Sequence, residues 1–345
     1  MKSFDPSESF RVTRLPALAL LALAACWACA AQAQSSVQVY GLLDMGVGSY
    51  RDAGGGRSSQ VASGKMTTSY LGYKGTEDLG GGLAAFFALE SHLRIDTGEP
   101  GRNATDPYFS RNAYVGLLSR TAGSITLGRY NTPFWLASVS TNPFGASTGY
   151  SPGLRLLFGP IGKTGGDGVW NNSVIYETPR IGGFGGMVQH QMKETAQGGN
   201  TGANITYNAG GPLVLAAAAQ SIEAPYTRGK ETAAMVGGSY NLGFARAFGQ
   251  YARVNEGNTS AATANTRDRI YQVGASIPVG TPGAVLVSYA QARTSGAQIG
   301  DRKVFSIGYD YRLSRRTDVY TVLMTDKYNA LRRGDSFGVG IRHIF

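Results

Sequence analysis

The sequence predicts an all-β chain folded as a 16-stranded antiparallel transmembrane β-barrel, and three observations carry that reading. Period-two alternation recurs in segments of about ten residues, separated by Gly, Asn, Asp and Ser clusters. Glycine supplies 49 of 345 residues, about twice its usual share of ~7%. Beyond residue 33 no apolar run approaches 20 residues; the longest, Leu83 to Leu89 and Leu213 to Ala219, are far too short to cross a bilayer as helices. With 16% charged residues, 10% aromatics and two cysteines, a disulfide-stapled mini-domain, a coiled coil and an acidic disordered tail are excluded. The glycines show no G-x-y period, so collagen is excluded too.

The N-terminus has its own logic. Lys2, Arg11 and Arg14 precede an apolar stretch from Leu15 to Ala31, which ends at Ala31-Gln32-Ala33. This is the three-part build of a secretory signal peptide, with cleavage expected after Ala33. An uncleaved anchor and a lipoprotein site at Leu23-Ala24-Ala25-Cys26 are the competing readings. Both cysteines, Cys26 and Cys29, fall in the leader, so their C-x-x-C spacing reads as part of a removed segment rather than a redox pair. Of the 32 basic and 22 acidic residues, Lys2, Arg11, Arg14, Asp5 and Glu8 lie in the leader, and a mature net charge of about +9 remains. A single barrel domain is then expected over residues 34–345.

The strands can be read in order. In the first, Val37, Val39, Leu43, Met45 and Val47 alternate with Gln38, Tyr40 and Asp44. From Leu83 to Arg94, Leu83, Ala85, Phe87, Leu89 and Leu93 form an oily face, and the other face ends in Glu90, His92 and Arg94. Phe305, Ile307, Tyr309, Tyr311 and Leu313 alternate with Ser306, Asp310 and Arg312, and Phe337, Val339, Ile341, His343 and Phe345 run to the last residue. Apolar faces point inward in a soluble sandwich and outward in a membrane barrel. The barrel is favoured by aromatics near strand ends, by tight turns such as Ser314-Arg315-Arg316-Thr317 alternating with long polar loops such as Asn255 to Arg267, and by the aromatic terminal strand. Residues 34–345, at roughly 20 per strand with its connection, give about 16 strands, enough to leave an aqueous lumen.

Several segments, in order, are similar to the trimeric general porins of the Gram-negative outer membrane, of the betaproteobacterial type. They are Val39-Tyr40-Gly41-Leu42-Leu43-Asp44, Leu71-Gly72-Tyr73-Lys74-Gly75-Thr76-Glu77-Asp78-Leu79-Gly80, Arg111-Asn112-Ala113-Tyr114-Val115-Gly116-Leu117, Leu127-Gly128-Arg129-Tyr130-Asn131-Thr132-Pro133, Asn172-Ser173-Val174-Ile175-Tyr176 and Tyr311-Arg312-Leu313-Ser314-Arg315-Arg316-Thr317. The end, Gly340-Ile341-Arg342-His343-Ile344-Phe345, resembles the terminal strand that such proteins present to the barrel-assembly machinery, with Phe345 as the signal. The resemblance implies a homotrimer in outer-membrane lipid and lipopolysaccharide, passing small hydrophilic solutes and ions by passive diffusion. It also implies a third loop folded into the lumen as the constriction, here residues 131–168, with Pro143-Phe144-Gly145 at its tip.

Such pores set selectivity by a field between wall cations and loop acids. Between Leu127 and Gly166 this chain has no Asp or Glu, while Arg129, Arg155 and Lys163 are present and Asp167 is the first acid. Of three wall arginines expected from the family, the first position holds Tyr70, the third falls near Val169 and has no basic residue, and only Arg111 remains. Parity puts Tyr70 and Lys74 toward the lumen. The expected lining is therefore Arg111, Arg129, Tyr70, Lys74, Glu90, His92, Arg94, Arg155 and Lys163, with a weak anion preference that Glu90 and Asp44 could cancel. Arg111 and Arg129 could instead tie down the loop. His92 reads as a solvated lumen residue rather than a metal ligand, since no second His or Cys lies at ligand spacing. A solute-specific channel, or a plugged barrel acting through its loops as an adhesin, is the alternative. An enzyme would need a nucleophile beside a base, and His92, His190 and His343 have no evident partner. No cofactor is implied, and the scattered basic residues fit anionic lipid headgroups better than nucleic acid.

Overall fold

In the computed structural model the described residues are 36–159, 161–165, 167–194, 199–223, 230–255, 266–296 and 299–345. The expected signal peptide and both cysteines lie outside them, as does most of the loop from Asn255 to Arg267. The strands in chain order are β1 (Ser36–Tyr50), β2 (Ser58–Ser63), β3 (Tyr70–Gly80), β4 (Leu83–Arg94), β5 (Glu99–Pro100), β6 (Asn112–Ser119), β7 (Gly123–Asn131), β8 (Val169–Glu177) and β9 (Phe184–Gln191). They continue as β10 (Thr201–Asn208), β11 (Leu213–Ile222), β12 (Glu231–Asn241), β13 (Arg246–Asn255), β14 (Arg267–Val279), β15 (Gly283–Ser295), β16 (Gly300–Arg312), β17 (Thr317–Tyr328) and β18 (Gly334–Ile344).

Each strand pairs antiparallel with its neighbours, and β1 pairs with β18 from Leu42↔Ile344 to Ser49↔Phe337, closing the sheet into a barrel. The barrel has 16 staves. β2 and β3 are two halves of one stave, lying beside residues 45–50 and 36–42 of β1, and β5 is a two-residue pairing at the end of β4. Closure removes every sheet edge, which is what lets a strand cross a bilayer with its backbone satisfied. Phe345 extends the seam, exchanging backbone hydrogen bonds with Gly41 at 3.2 and 3.1 Å. Short turns lie at one end of the barrel and the longer connections at the other, the arrangement of periplasmic turns and extracellular loops.

The exterior follows the alternation. Val37, Val39, Val61, Val115, Ile125, Val188, Val273 and Leu323 are all at least half exposed, as a lipid-facing surface requires. The interior departs from the expected polar lining. Residues 132–168 run between β7 and β8 and form two short helices, α1 (Pro133–Ser140) and α2 (Pro152–Leu157). Each begins at a hydroxyl cap followed by proline: Thr132 Oγ1 accepts from Trp135 N at 3.1 Å, and Ser151 Oγ from Leu154 N at 3.4 Å. Phe134, Ala137, Leu156 and Leu157 pack with Ala216, Ala218, Met235, Val254, Ala290, Val304 and Met324 from the inner face of β11–β17. A hydrophobic core thus lies between the loop and the inner face of β11–β17. This is why Leu213 to Ala219 is apolar on both faces: one meets lipid and the other meets α1.

Polar inner residues fasten the loop. Gln250 Nε2 donates to the Ser138 carbonyl and Thr141 Oγ1, Ser306 Oγ to the Tyr150 carbonyl, and Phe144 of the expected tip is buried against the wall with Leu286 and Val322. Gly338 of β18 leaves room for the Tyr150 hydroxyl, which a Cβ there would strike.

Candidate pore and its charged wall

The stave break between β2 and β3 shapes the opposite wall. Gly64 adopts φ +71°, and residues 64–69 leave the sheet. Asp44 holds them: Oδ2 accepts from Met66 N and Thr67 N, both at 2.7 Å, and Oδ1 accepts from the Tyr320 hydroxyl at 2.7 Å. Asp44 is fully buried, so it is a fastening of the break and not a lumen charge. The Lys65 carbonyl of the break accepts from Ser147 Oγ at 2.8 Å, joining it to the loop.

Between this wall and residues 132–168 lies a cavity of about 470 Å³, lined by Tyr70, Arg102, Arg111, Trp135, Phe158 and Asp167 among others. Arg111 lies over the Tyr70 ring, 4.2 Å from its centroid, and pairs with Glu90. Glu90 also accepts from the Tyr40 hydroxyl and from Asn112 Nδ2, so its carboxylate is saturated and buried. Arg129 donates through Nε to the Ser110 carbonyl at 2.8 Å and through Nη1 to Asn171 at 2.5 Å, with Asp167 at 3.7 Å. That is the tethering alternative weighed for Arg129, and its side chain is only 11% exposed.

The remaining sequence candidates divide. Lys74 is exposed, with Nζ 4.6 Å from the Tyr40 ring centroid and no carboxylate within 4 Å among the described residues. Arg94 pairs with Glu99 at 2.8 Å toward the loop end. Arg155 is buried, held by the Asp52 carboxylate at 2.6 Å and the Gly149 carbonyl, and it does not face open water. Lys163 sits 3.3 Å from the buried Asp268. His92, expected to be solvated, is only 8% exposed: its backbone N–H donates to Ser110 Oγ at 3.1 Å, and it sits at the margin of the cavity rather than in open water. His190 and His343 each meet a threonine hydroxyl at 2.9 Å, Thr201 and Thr317 respectively.

Sequence reasoning missed Arg102. It projects from the connection between β5 and β6 and grips Asp106 through Nε at 2.8 Å and Asp167 through Nη1 at 2.9 Å. Burial raises the Asp106 pKa, but the hydrogen bonds from Arg102 outweigh it and hold the carboxyl below its ordinary value. No local pattern marks this residue, because its partner Asp167 is 65 positions away. Trp135 and Phe158, edge to face with centroids 5.1 Å apart, were likewise unmarked.

A closed 16-stave barrel with a lipid-facing exterior and a long loop in its interior defines an outer-membrane barrel of the channel-forming class. The chain belongs to the Gram-negative porin family, whose profile matches residues 17–331. It is 32% identical to outer membrane porin protein 32 of Delftia acidovorans over 89% of this chain and 87% of that one. It is 28% identical to an outer membrane porin protein of Bordetella pertussis over 94% and 98% of the two chains. Among solved structures, the anion-selective porin from Comamonas acidovorans superposes with TM-score 0.78 at 29% identity, covering 90% of this chain and all of that one. The trimer form of OmpT from Vibrio cholerae superposes with TM-score 0.70 at 16% identity over 90% and 99%, a likeness of fold. The chain is thus an outer-membrane protein whose relatives are channels, not enzymes.

Proposed function

We propose that the barrel is a water-filled channel for passive diffusion of small hydrophilic solutes and ions, with a weak anion preference. Residues 132–168 act as the constriction, and the water path runs off-centre along Tyr70, Lys74 and Arg111 because the other half of the interior is packed. One observation carries the sign. The carboxylates able to attract cations are each occupied: Asp44 and Glu90 are buried and saturated with hydrogen bonds, and Asp167 is gripped by Arg102. Lys74 and the open edge of Arg111 are what permeating ions meet. The anion-selective relative supports the same sign. The proposal extends to a closed three-fold homotrimer in lipopolysaccharide-containing membrane, and to Phe345 as the residue read by the barrel-assembly machinery.

The test is current across a planar bilayer after adding purified, refolded protein under a potassium chloride gradient. Stepwise conductance with an anion-preferring reversal potential is expected. A cation-preferring reversal would discard the charge argument, and absence of steps from folded protein would favour a plugged barrel. A solute-specific channel is the second reading, favoured by Tyr70, Trp135 and Phe158 around the cavity. It predicts saturable block by one class of flat solute, relieved in Trp135→Ala.

A further inference from the structure

The lumen wall on the turn side of the cavity carries an aromatic surface that ion selectivity does not use. Tyr40 shares the inward parity of Asp44 on β1, Phe86 that of Glu90 on β4, and Tyr114 that of Asn112 on β6, and all three rings are half-buried. Tyr40 meets Tyr70 edge to face with centroids 6.1 Å apart. Phe86 meets Tyr114 at 6.0 Å, and Tyr114 meets Tyr130 at 5.0 Å, both again edge to face. The hydrophobic core beneath the loop draws on α1, α2 and β11–β17 and includes none of these rings.

Glycines on the neighbouring strands let the rings lie along the wall instead of standing out from it. Tyr40 is the register partner of Gly72, and Phe86 of Gly116. A Cβ on Gly72 would come within 2.9 Å of Tyr40 Cζ, and one on Gly116 within 2.5 Å of Phe86 Cζ, so each ring rests across a glycine of the next strand. The Tyr40 hydroxyl donates to Glu90 and the Tyr130 hydroxyl to Glu177, the latter at 3.0 Å, which fixes these rings before any solute arrives. Lys74, Ala88 and Tyr114 follow one another at a single height across β3, β4 and β6, between the levels of Tyr40 and Phe86. Lys74 Nζ stands 4.6 Å from the Tyr40 centroid on an exposed side chain. The wall thus joins a panel of flat rings to a cation that has no carboxylate of its own among the described residues.

We propose that Tyr40, Phe86 and Tyr114, with Lys74, form a subsite for flat organic anions, solutes that join an aromatic ring to a carboxylate. The solute ring packs on the panel, and its carboxylate pairs with the Lys74 ammonium. A neutral sugar uses only the rings and an inorganic anion only the cation, so neither gains both contacts. The subsite rests on the channel reading, which brings solutes to it. It lies on the turn side of the cavity and does not involve Trp135 or Phe158.

The test adds benzoate to the full chain in a planar bilayer and reads the fall in potassium chloride current as its concentration rises. Saturable block is expected. Cyclohexanecarboxylate, equal in charge but not flat, and benzamide, flat but neutral, each need a concentration higher by roughly threefold or more for half-block. Phe86→Leu and Lys74→Gln raise the half-blocking concentration of benzoate by a similar factor, Lys74→Arg restores it, and Trp135→Ala leaves it unchanged. Equal block by the three probes, or equal block of wild type and both variants, overturns the proposal. Block relieved by Trp135→Ala alone keeps the solute-specific cavity and overturns the panel. Absence of conductance steps counts against the channel reading by itself. Saturation-transfer NMR of benzoate with the same protein in detergent then reads the subsite directly, and equal transfer to wild type, Phe86→Leu and Lys74→Gln overturns it. Should Phe86→Leu not assemble, Lys74→Gln, at an exposed side chain, carries the comparison.

Discussion

Inside the barrel Arg111 lies against Glu90, Arg102 against Asp106 and Asp167, and Arg155 against Asp52, whereas on the outer wall Arg253, Arg269 and Arg293 stand side by side with no carboxylate among the described residues within reach. The two sets share a residue type, the outer three on β13, β14 and β15 and the inner ones on the connection before β6 and on α2. They differ in surroundings. Inside, a loop folded against the wall removes water, so a cation without a partner is costly, and these three are matched. Outside, the same charge is exposed to solvent, which screens it and lowers the cost of lacking a carboxylate. The inner charges are paired across segments of the chain, and the outer row faces away from it.

The comparison breaks most visibly at Asp44. Asp44→Ala leaves two backbone amides and the Tyr320 hydroxyl without their acceptor inside the barrel, at an expected cost of roughly 3–5 kcal/mol. Urea unfolding in lipid vesicles reads this, and a loss no greater than that of Arg269→Gln would erase the contrast between inner and outer walls. Glu90→Gln uncovers Arg111, and the reversal potential moves toward anions by roughly three- to tenfold in permeability ratio, the reach of one uncompensated charge in a restricted aqueous site. An unchanged ratio would mean that Arg111 does not face the ion path.

Asp106 gives a smaller, pH-dependent effect. Its folded pKa lies below the ordinary 3.8, so the stabilisation from Arg102 is complete above that value and is lost as pH falls through the lower folded one. Channel noise is expected to stay constant from about pH 8 to 4 and rise only below the ordinary carboxylate value, with Asp106→Asn insensitive to pH over the same window. A transition near neutral pH would assign the response to another group. The smallest effect is at Arg269. In lipid-free detergent Arg269→Gln is expected to stabilise slightly, by about 0.2–1 kcal/mol, because it relieves two like-charge neighbours. Destabilisation there would point to an unseen protein partner for the row.

Much of the barrel was legible. The alternation of Val37, Val39 and Val47, of Phe305 to Leu313 and of Phe337 to Ile341 placed the lipid face, and Ser314 to Thr317 marked a turn, because side-chain direction along a strand depends only on position. The wall candidates were legible as charges but not as exposures. His92 and Asp44 read as lumen groups by parity and proved buried, since parity reports the inner face and not what covers it; Arg155 read as a loop cation and is buried against Asp52.

Strand number, outward apolar faces and the acid-free stretch before Asp167 follow from local order along the chain, where period, turn chemistry and composition are each set within about ten residues. Which cations are neutralised, which part of the inner face packs against the loop and where Arg102 arrives are settled by contacts between segments far apart in sequence: Arg102 with Asp167, Arg155 with Asp52, Asp44 with Tyr320. Charge pairing and burial depend on distance in space, and that distance exists only once the barrel has closed around its loop.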